Sequence, residues 1–362
     1  MGTHGGRDRA GAGGSAPWRE KKRRALTTFG WIEAEEQTWR RGTRIVRPVR
    51  PCWQVSARGC SRRLERALTD FGADATFAAA AAKVREHYGV EVSAERVRQV
   101  CLRHAGRLAA APVAACARLQ PSGPDWIVAE ADGTLLPIVD TSAAPPGTDR
   151  RKHRRLHWQE ARVLAAQAAG ETTTHYEATL GEVAEAGARW SRTVRAAGRG
   201  VNTRIHAVGD GAPWIAQQAA THLGPRASYL LDLYHVCDYL AAVWPAERAV
   251  VAQHRDALKA GRTETVLAAL RERVEPAHVP DPDAPARCAL RYLENRRHQL
   301  DYAGALRENL PVGSGLIESA HRHLLQARLK LAGAWWTATN AHAMAQLRVC
   351  RANGAWSAYW QN

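Results

Sequence analysis

Between Asp125 and His235 the chain alternates short apolar runs with helical patterns, and that alternation restricts this region to the α/β class. DWIVAEAD and TLLPIVD, separated by Gly133, read as two strands of a hairpin, and EARVLAAQAA is a further strand candidate. VNTRIHAVGD reads as a buried strand ending at Asp210, followed by the helix APWIAQQAATHL; ASYLLDLYH is another strand, ending near Asp232. Asp132 and Asp210 are each followed at once by glycine, so each acid stands where the chain leaves a strand. Aspartates in such positions also serve as turn formers or caps of the next helix. Taken singly, either acid is open to both readings.

A third acid, Glu318, lies in PVGSGLIESAHRHLLQARLK, one turn into a helix that follows a Gly-Ser-Gly loop. An acid in a first turn satisfies the helix dipole and needs no further role. Asp, Asp and a late Glu brought to one end of a sheet would do more: three carboxylates can hold two Mg²⁺ ions about 4 Å apart for phosphodiester chemistry. Charge supports that substrate. With 51 Lys and Arg against 35 Asp and Glu, the formal net charge is +16, an excess suited to a polyanion.

The other segments divide by composition. Residues 1–17, rich in Gly, Ala and Ser, read as a disordered tail, and 18–61 as a basic arm. Residues 62–120 read as a helical region with a helix-turn-helix: one helix closed by Gly89, the next capped by Ser93. Arg96, Gln99, Arg103 and Arg107 share one face of the second helix, and this is either a DNA-reading face or a solvated one. His104 falls on the inward face and reads as a packed or capping histidine. Pro121–Pro124 looks like a linker. The basic loop 149–158 offers Arg151, Lys152, Arg154 and Arg155 to phosphates. Residues 237–310 are helical in pattern, and 351–362 read as a C-terminal tail. Trp335 and Trp336 suit either a core anchor or base stacking. Seven scattered cysteines form no CxxC pair, so neither a disulfide framework nor a zinc ribbon is expected. With no apolar run long enough to span a bilayer, a cytoplasmic, nucleoid-associated protein is expected.

VAEADGT, VGDGAPWI, LLDLYHVCDYL and VGSGLIESAHRHLLQARLK, in that order, resemble bacterial insertion-sequence transposases of the ISKra type, part of the DDE superfamily with a ribonuclease-H-like catalytic domain. The resemblance runs from about Trp126 to Trp356. It implies an α/β fold with a mixed sheet flanked by helices, a catalytic core over 125–236 plus 311–350, and a helical insertion over 237–310. It implies that Asp132, Asp210 and Glu318 are the catalytic metal ligands, binding two Mg²⁺ (or Mn²⁺) ions. Asp232 and His235 match an accompanying D-x-x-H signature, as accessory residues. His321, Arg322 and Arg328 would line the DNA path. The expected activity is phosphodiester hydrolysis and strand transfer at transposon ends, by a homo-oligomer on DNA. A non-cutting DNA-binding remnant and a ribonuclease-H-like nuclease are the alternatives. The paired-cysteine segment usual near the family's N-terminus is absent; Cys52 and Cys60 have the wrong spacing.

Overall fold

The computed structural model describes residues 17–41, 43–46, 55, 59–111 and 119–361. Cys52 and nearly all of the expected N-terminal tail lie outside the described residues. The chain divides into two compact units, residues 1–103 and 104–362.

In the first unit, strands β1 (Pro17–Thr27), β2 (Gly30–Arg41) and β3 (Arg44–Val46) form an antiparallel sheet in that order. Over 17–46 a sheet stands where a basic arm was expected; residues 42, 47–54 and 56–58 of that expected arm lie outside the described residues. The cations of β1 have a partner strand: Lys22 stands opposite Glu35 and Arg24 opposite Glu33, with Arg24 Nε 2.8 Å from Glu33. Arg23 Nε reaches the buried Glu36 at 2.6 Å. Such cross-strand charge pairs stabilise a sheet without leaving an apolar alternation to read.

Three helices follow: α1 (Arg62–Asp74), α2 (Phe77–Tyr88) and α3 (Ala94–Ala109). The boundaries read from sequence hold here. Gly89 ends α2 in the left-handed conformation at φ 63°, and Ser93 Oγ accepts from Arg96 N at 3.2 Å. Leu64, Leu68, Ala80, Val84, Val97 and Val100 form their common core with Leu26 of β1. Two residues of the supposed reading face turn toward this fold instead of solvent. Arg103 pairs with the buried carboxylate of Glu65, and Arg96 NH1 lies 3.2 Å from Cys60 Sγ. Gln99 and Arg107 are exposed.

The second unit is built on a five-stranded mixed sheet. Its strands are β4 (Trp126–Asp140), β5 (Arg155–Ala168), β6 (Thr174–Thr179), β7 (Arg204–Gly209) and β8 (Ala227–Leu231). Their order is β6-β5-β4-β7-β8; β5 is antiparallel to both of its neighbours, β6 and β4, while β7 and β8 run parallel to β4. The expected hairpin at Gly133 is corrected: β4 passes straight through Gly133, which pairs with Arg162 on β5. This glycine makes no turn; it lies against the Glu160 carboxylate, which a Cβ there would meet at 2.1 Å and displace. The Pro121–Pro124 stretch is also packed, with Gly123 N and O both bonded to the Asn202 side chain at 2.8 and 2.9 Å.

Alternate residues of β4 face two layers. Ile127, Ala129 and Ala131 pack on helices α4 (Val183–Ala196) and α5 (Pro213–His222), around Trp190, Val194 and Ile215. Val128 joins Val208 and Leu230 beneath the insertion. The insertion consists of α6 (Leu233–Val243), α7 (Arg248–Lys259), α8 (Thr263–Arg271), α9 (Pro285–Glu294) and α10 (Tyr302–Arg307). Leu258, Leu267, Leu270 and Leu293 share one core with the sheet, so these helices roof it as an integral layer. After them come α11 (Gly315–Ala320), a π-helical turn His321–Gln326, α12 (Ala338–Ala352) and α13 (Trp356–Gln361). The last helix replaces the expected tail and buries Trp360. His104 is buried, with Nδ1 2.7 Å from Tyr359 Oη. Among the described residues no helix is long and apolar enough to cross a membrane.

Candidate active site

The carboxyl ends of the parallel strands carry the acids. β4 and β7 pair in register up to Glu130 opposite Val208, and β7 and β8 up to Gly209 opposite Leu231. Continuing those registers brings Asp210 and Asp232, just past the ends of β7 and β8, level with Asp132, which stands within β4 and not at the strand end expected for it. Over this edge α11 crosses, and beneath it lies a cavity of about 570 Å³. Asp132, Asp232, His235, Asp238, Glu318 and His321 are among the residues lining it.

Each acid has distinct surroundings. Asp132 is half-buried; its Oδ1 accepts from Gly133 N at 2.7 Å, and its Oδ2 lies 3.1 Å from His321 Nε2. His321 is 5% exposed and neither ring nitrogen has a hydrogen-bond partner in good geometry. Its place on the DNA path is therefore corrected to a place beneath Asp132. Glu318, by contrast, has its side chain 78% exposed, with Arg322 3.4 Å away. Asp232 is fully engaged: Oδ1 accepts from Tyr234 N (2.6 Å) and His235 N (3.3 Å), capping α6, while Oδ2 accepts from Ser314 N (2.7 Å) and Ser314 Oγ. His235 is exposed at the cavity wall.

Asp210 does not line the cavity. Its Oδ1 accepts from Ala212 N at 2.8 Å, the turn-forming role open to an aspartate at a strand end. The insertion grips its backbone: Tyr292 Oη donates to Asp210 O at 2.5 Å, and Arg296 donates twice to Gly211 O at 2.8 and 3.0 Å. Burial keeps Tyr229 and Tyr292 beside it firmly protonated.

The acid missed by sequence reading is Glu130. It is 1% exposed, and its Oε2 accepts from Ile317 N at 2.9 Å. Burial pushes its carboxyl up to about 8, against the pull of that bond and with the Asp232 charge adding to the rise. A glutamate two residues before Asp132 on a strand shares its face, and a charged residue inside an apolar run was the available signal.

Carboxylates are the hard oxygen donors that Mg²⁺ prefers, and Asp132 and Glu318 open onto the same space, so the donor chemistry fits that ion. The ligand set is not drawn together in this arrangement: among the described residues no three His, Cys, Asp or Glu side chains are close enough to hold a metal.

Of the cations expected on DNA, Arg328 is corrected: it is buried, with its guanidinium 4.7 Å from the Trp336 ring centroid. Trp336 is itself buried, and its carbonyl accepts from Val139 N at 2.8 Å. Trp335 is exposed and carries Arg154 over its ring at 4.9 Å. Lys152, Arg154, Arg155 and Arg322 face solvent; the Arg151 side chain lies outside the described residues.

Together these features define a mixed α/β domain with an acid-lined cavity at the carboxyl edge of its sheet. Residues 199–360 match the model of an uncharacterised protein family, UPF0236. That match spans Asp210, Asp232, Glu318 and His321 and stops short of Asp132. No curated protein matches the chain.

Proposed function

We propose that residues 125–236 and 311–350 form a ribonuclease-H-like catalytic core, interrupted by the helical insertion 237–310, and that the protein is a DDE transposase of an insertion sequence. The observation that carries this reading is the meeting of Asp132 and Glu318 in one cavity. They come from a central strand and a late helix, with Asp210 ending the next strand at the same level. The sheet supports it too: three antiparallel strands followed by two parallel ones, with the first strand at the centre.

On this reading Asp132, Asp210 and Glu318 would hold two Mg²⁺ or Mn²⁺ ions. Such ions supply activation of an attacking oxygen and neutralisation of the leaving one. His321 backs the Asp132 carboxylate and limits its rotation, and burial excludes water from that side. Arg322, and Lys330, whose Nζ is 3.0 Å from Thr134 Oγ1, add positive charge at the rim for phosphate. Water would attack the phosphodiester at the element's end, releasing a 3′-OH that then attacks target DNA. Both displacements are in line and form no covalent bond to the protein.

The helices α1–α3 are proposed as a helix-turn-helix module that grips terminal DNA through phosphate contacts; Arg107 and Gln99 are exposed on that face, Gln99 Nε2 donating to Glu95 at 2.7 Å. A homo-oligomer pairing two DNA ends, in the bacterial cytoplasm, completes the proposal. The competing reading is a DNA-binding protein that does not cut. Asp210 standing outside the cavity is the observation on its side. The test is a labelled duplex carrying the sequences that flank the gene, incubated with Mg²⁺ or Mn²⁺, then pre-cut ends offered a target plasmid. Cleavage with joining supports a transposase. Cleavage without joining indicates a nuclease, and binding alone the remnant.

A further inference from the structure

We propose that Glu130 and Asp232 are positioning residues for Glu318: two buried carboxyls that clamp the 311–317 segment to the carboxyl edge of the sheet. The inference rests on the reading of Glu318 as a catalytic acid.

The Glu318 side chain is held by little of its own, being 78% exposed with Arg322 as its near neighbour. Its location therefore depends on the backbone of 311–317, which crosses the strand ends and is tied down step by step. His206 Nε2, on β7, lies 2.8 Å from Pro311 O, and Leu233 N donates to Val312 O at 2.9 Å. Ser314 gives both N–H and Oγ–H to Asp232 Oδ2, and Ile317 N donates to Glu130 Oε2. Gly313 fits between because it has no side chain; a Cβ there would lie 2.5 Å from the Tyr234 ring. Asp232 uses its other oxygen to cap α6, so one carboxylate fixes two elements at once.

Packing alone does not explain these acids. Glu130 and Asp232 are 1% and 4% exposed, and an apolar side chain in place of either would avoid the cost of burying a carboxyl. What an apolar residue cannot do is accept from Ser314 N or Ile317 N at the start of α11. Those bonds fix where the helix begins, and with it which way Glu318 leaves the backbone.

The experiment uses the full chain in four forms: wild type, Glu130→Leu, Glu130→Gln and Asp232→Asn. Amide exchange is followed over peptides covering 312–320, beside thermal melting and metal-dependent cleavage of a labelled end. Glu130→Leu should speed exchange of 314–318 amides about tenfold or more, as expected for loss of a bond to a buried acid. Exchange over β7 and β8 should stay as in wild type. Cleavage should lose kcat with KM for DNA unchanged. Glu130→Gln keeps an acceptor oxygen and should recover both protection and most of the rate. Asp232→Asn should loosen Ser314 selectively, and it decides the matter if Glu130→Leu does not fold. Unchanged exchange over 312–320 in Glu130→Leu and Asp232→Asn would overturn the proposal. So would a Gln variant as impaired in kcat as the Leu variant, because Glu130 would then act through its charge. If wild type cuts nothing while the exchange pattern appears, the clamp stands and the transposase reading fails.

Discussion

Replacing Arg103 by methionine separates a DNA-reading arginine from a structural one. Helical periodicity sets Arg103 beside Arg96, Gln99 and Arg107, but its guanidinium meets Glu65, whose side chain is 6% exposed while that of Arg103 is 22% exposed. Removing one partner of a buried pair costs about 3–5 kcal/mol. Water reaches the arginine side here, so about 2–3 kcal/mol is the appropriate expectation. With a urea dependence of about 2 kcal/mol per molar, the unfolding midpoint of the first unit should fall by roughly 1–1.5 M. Adding Glu65→Leu removes the buried carboxylate as well and should restore most of the loss. The assay is a urea titration read by amide exchange over residues 59–103, alongside DNA binding in the absence of urea. An unchanged midpoint together with a tenfold or greater drop in DNA affinity would refute the reasoning and return Arg103 to the DNA face.

Two further outcomes follow from the same geometry. Lys152 and Arg154 are exposed on the turn between β4 and β5; each alanine replacement should reduce the slope of log affinity against log salt by about 1 and weaken all DNA sequences alike. A sequence-selective loss would contradict a phosphate-contact role. Burial holds His206 below its ordinary value despite its bond to Pro311 O. A lowered folded value means the unfolded chain takes up the proton first. The His206 contribution is therefore full above about pH 6.5 and is lost progressively as pH falls below that value toward the lower value of the folded state. Glu130 works in the opposite direction, so the measurement is the stability gap between wild type and His206→Asn, which should narrow from pH 7.5 to 5.5. A constant or widening gap would contradict it.

Much of the second unit is legible in the residues because β7 is buried along nearly its whole length and β8 at its carboxyl end. β7 and β8 therefore appear as apolar runs, each closed by an acid. The first sheet is illegible for the opposite reason. Its β1 pairs Lys and Arg with the Glu residues of β2, so its strand character lies in long-range partners rather than in local apolar alternation. Gly133 misleads because a glycine beside an acid looks like a turn, whereas the β4–β5 ladder continues unbroken through it. In the site, Asp132 and Glu318 are visible as acids after Gly-rich or apolar runs. Asp232 is visible only as a motif, and its binding of Ser314 depends on a contact 82 residues away in sequence. His321 and Arg328 sit in a helix rich in basic residues. A π-helical turn, which periodicity at 3.6 does not anticipate, separates Glu318 from the end of that helix.

The most direct test of the central claim is Mg²⁺- or Mn²⁺-dependent cleavage of a labelled transposon end by wild type, Asp132→Asn, Asp210→Asn and Glu318→Gln. Folding is checked by melting and DNA binding by gel shift. A metal site built from these three acids predicts cutting by wild type and a loss of at least about a hundredfold in each variant with binding retained, in line with removal of a group that stabilises charge in the transition state. Equal cutting by all four proteins would contradict it.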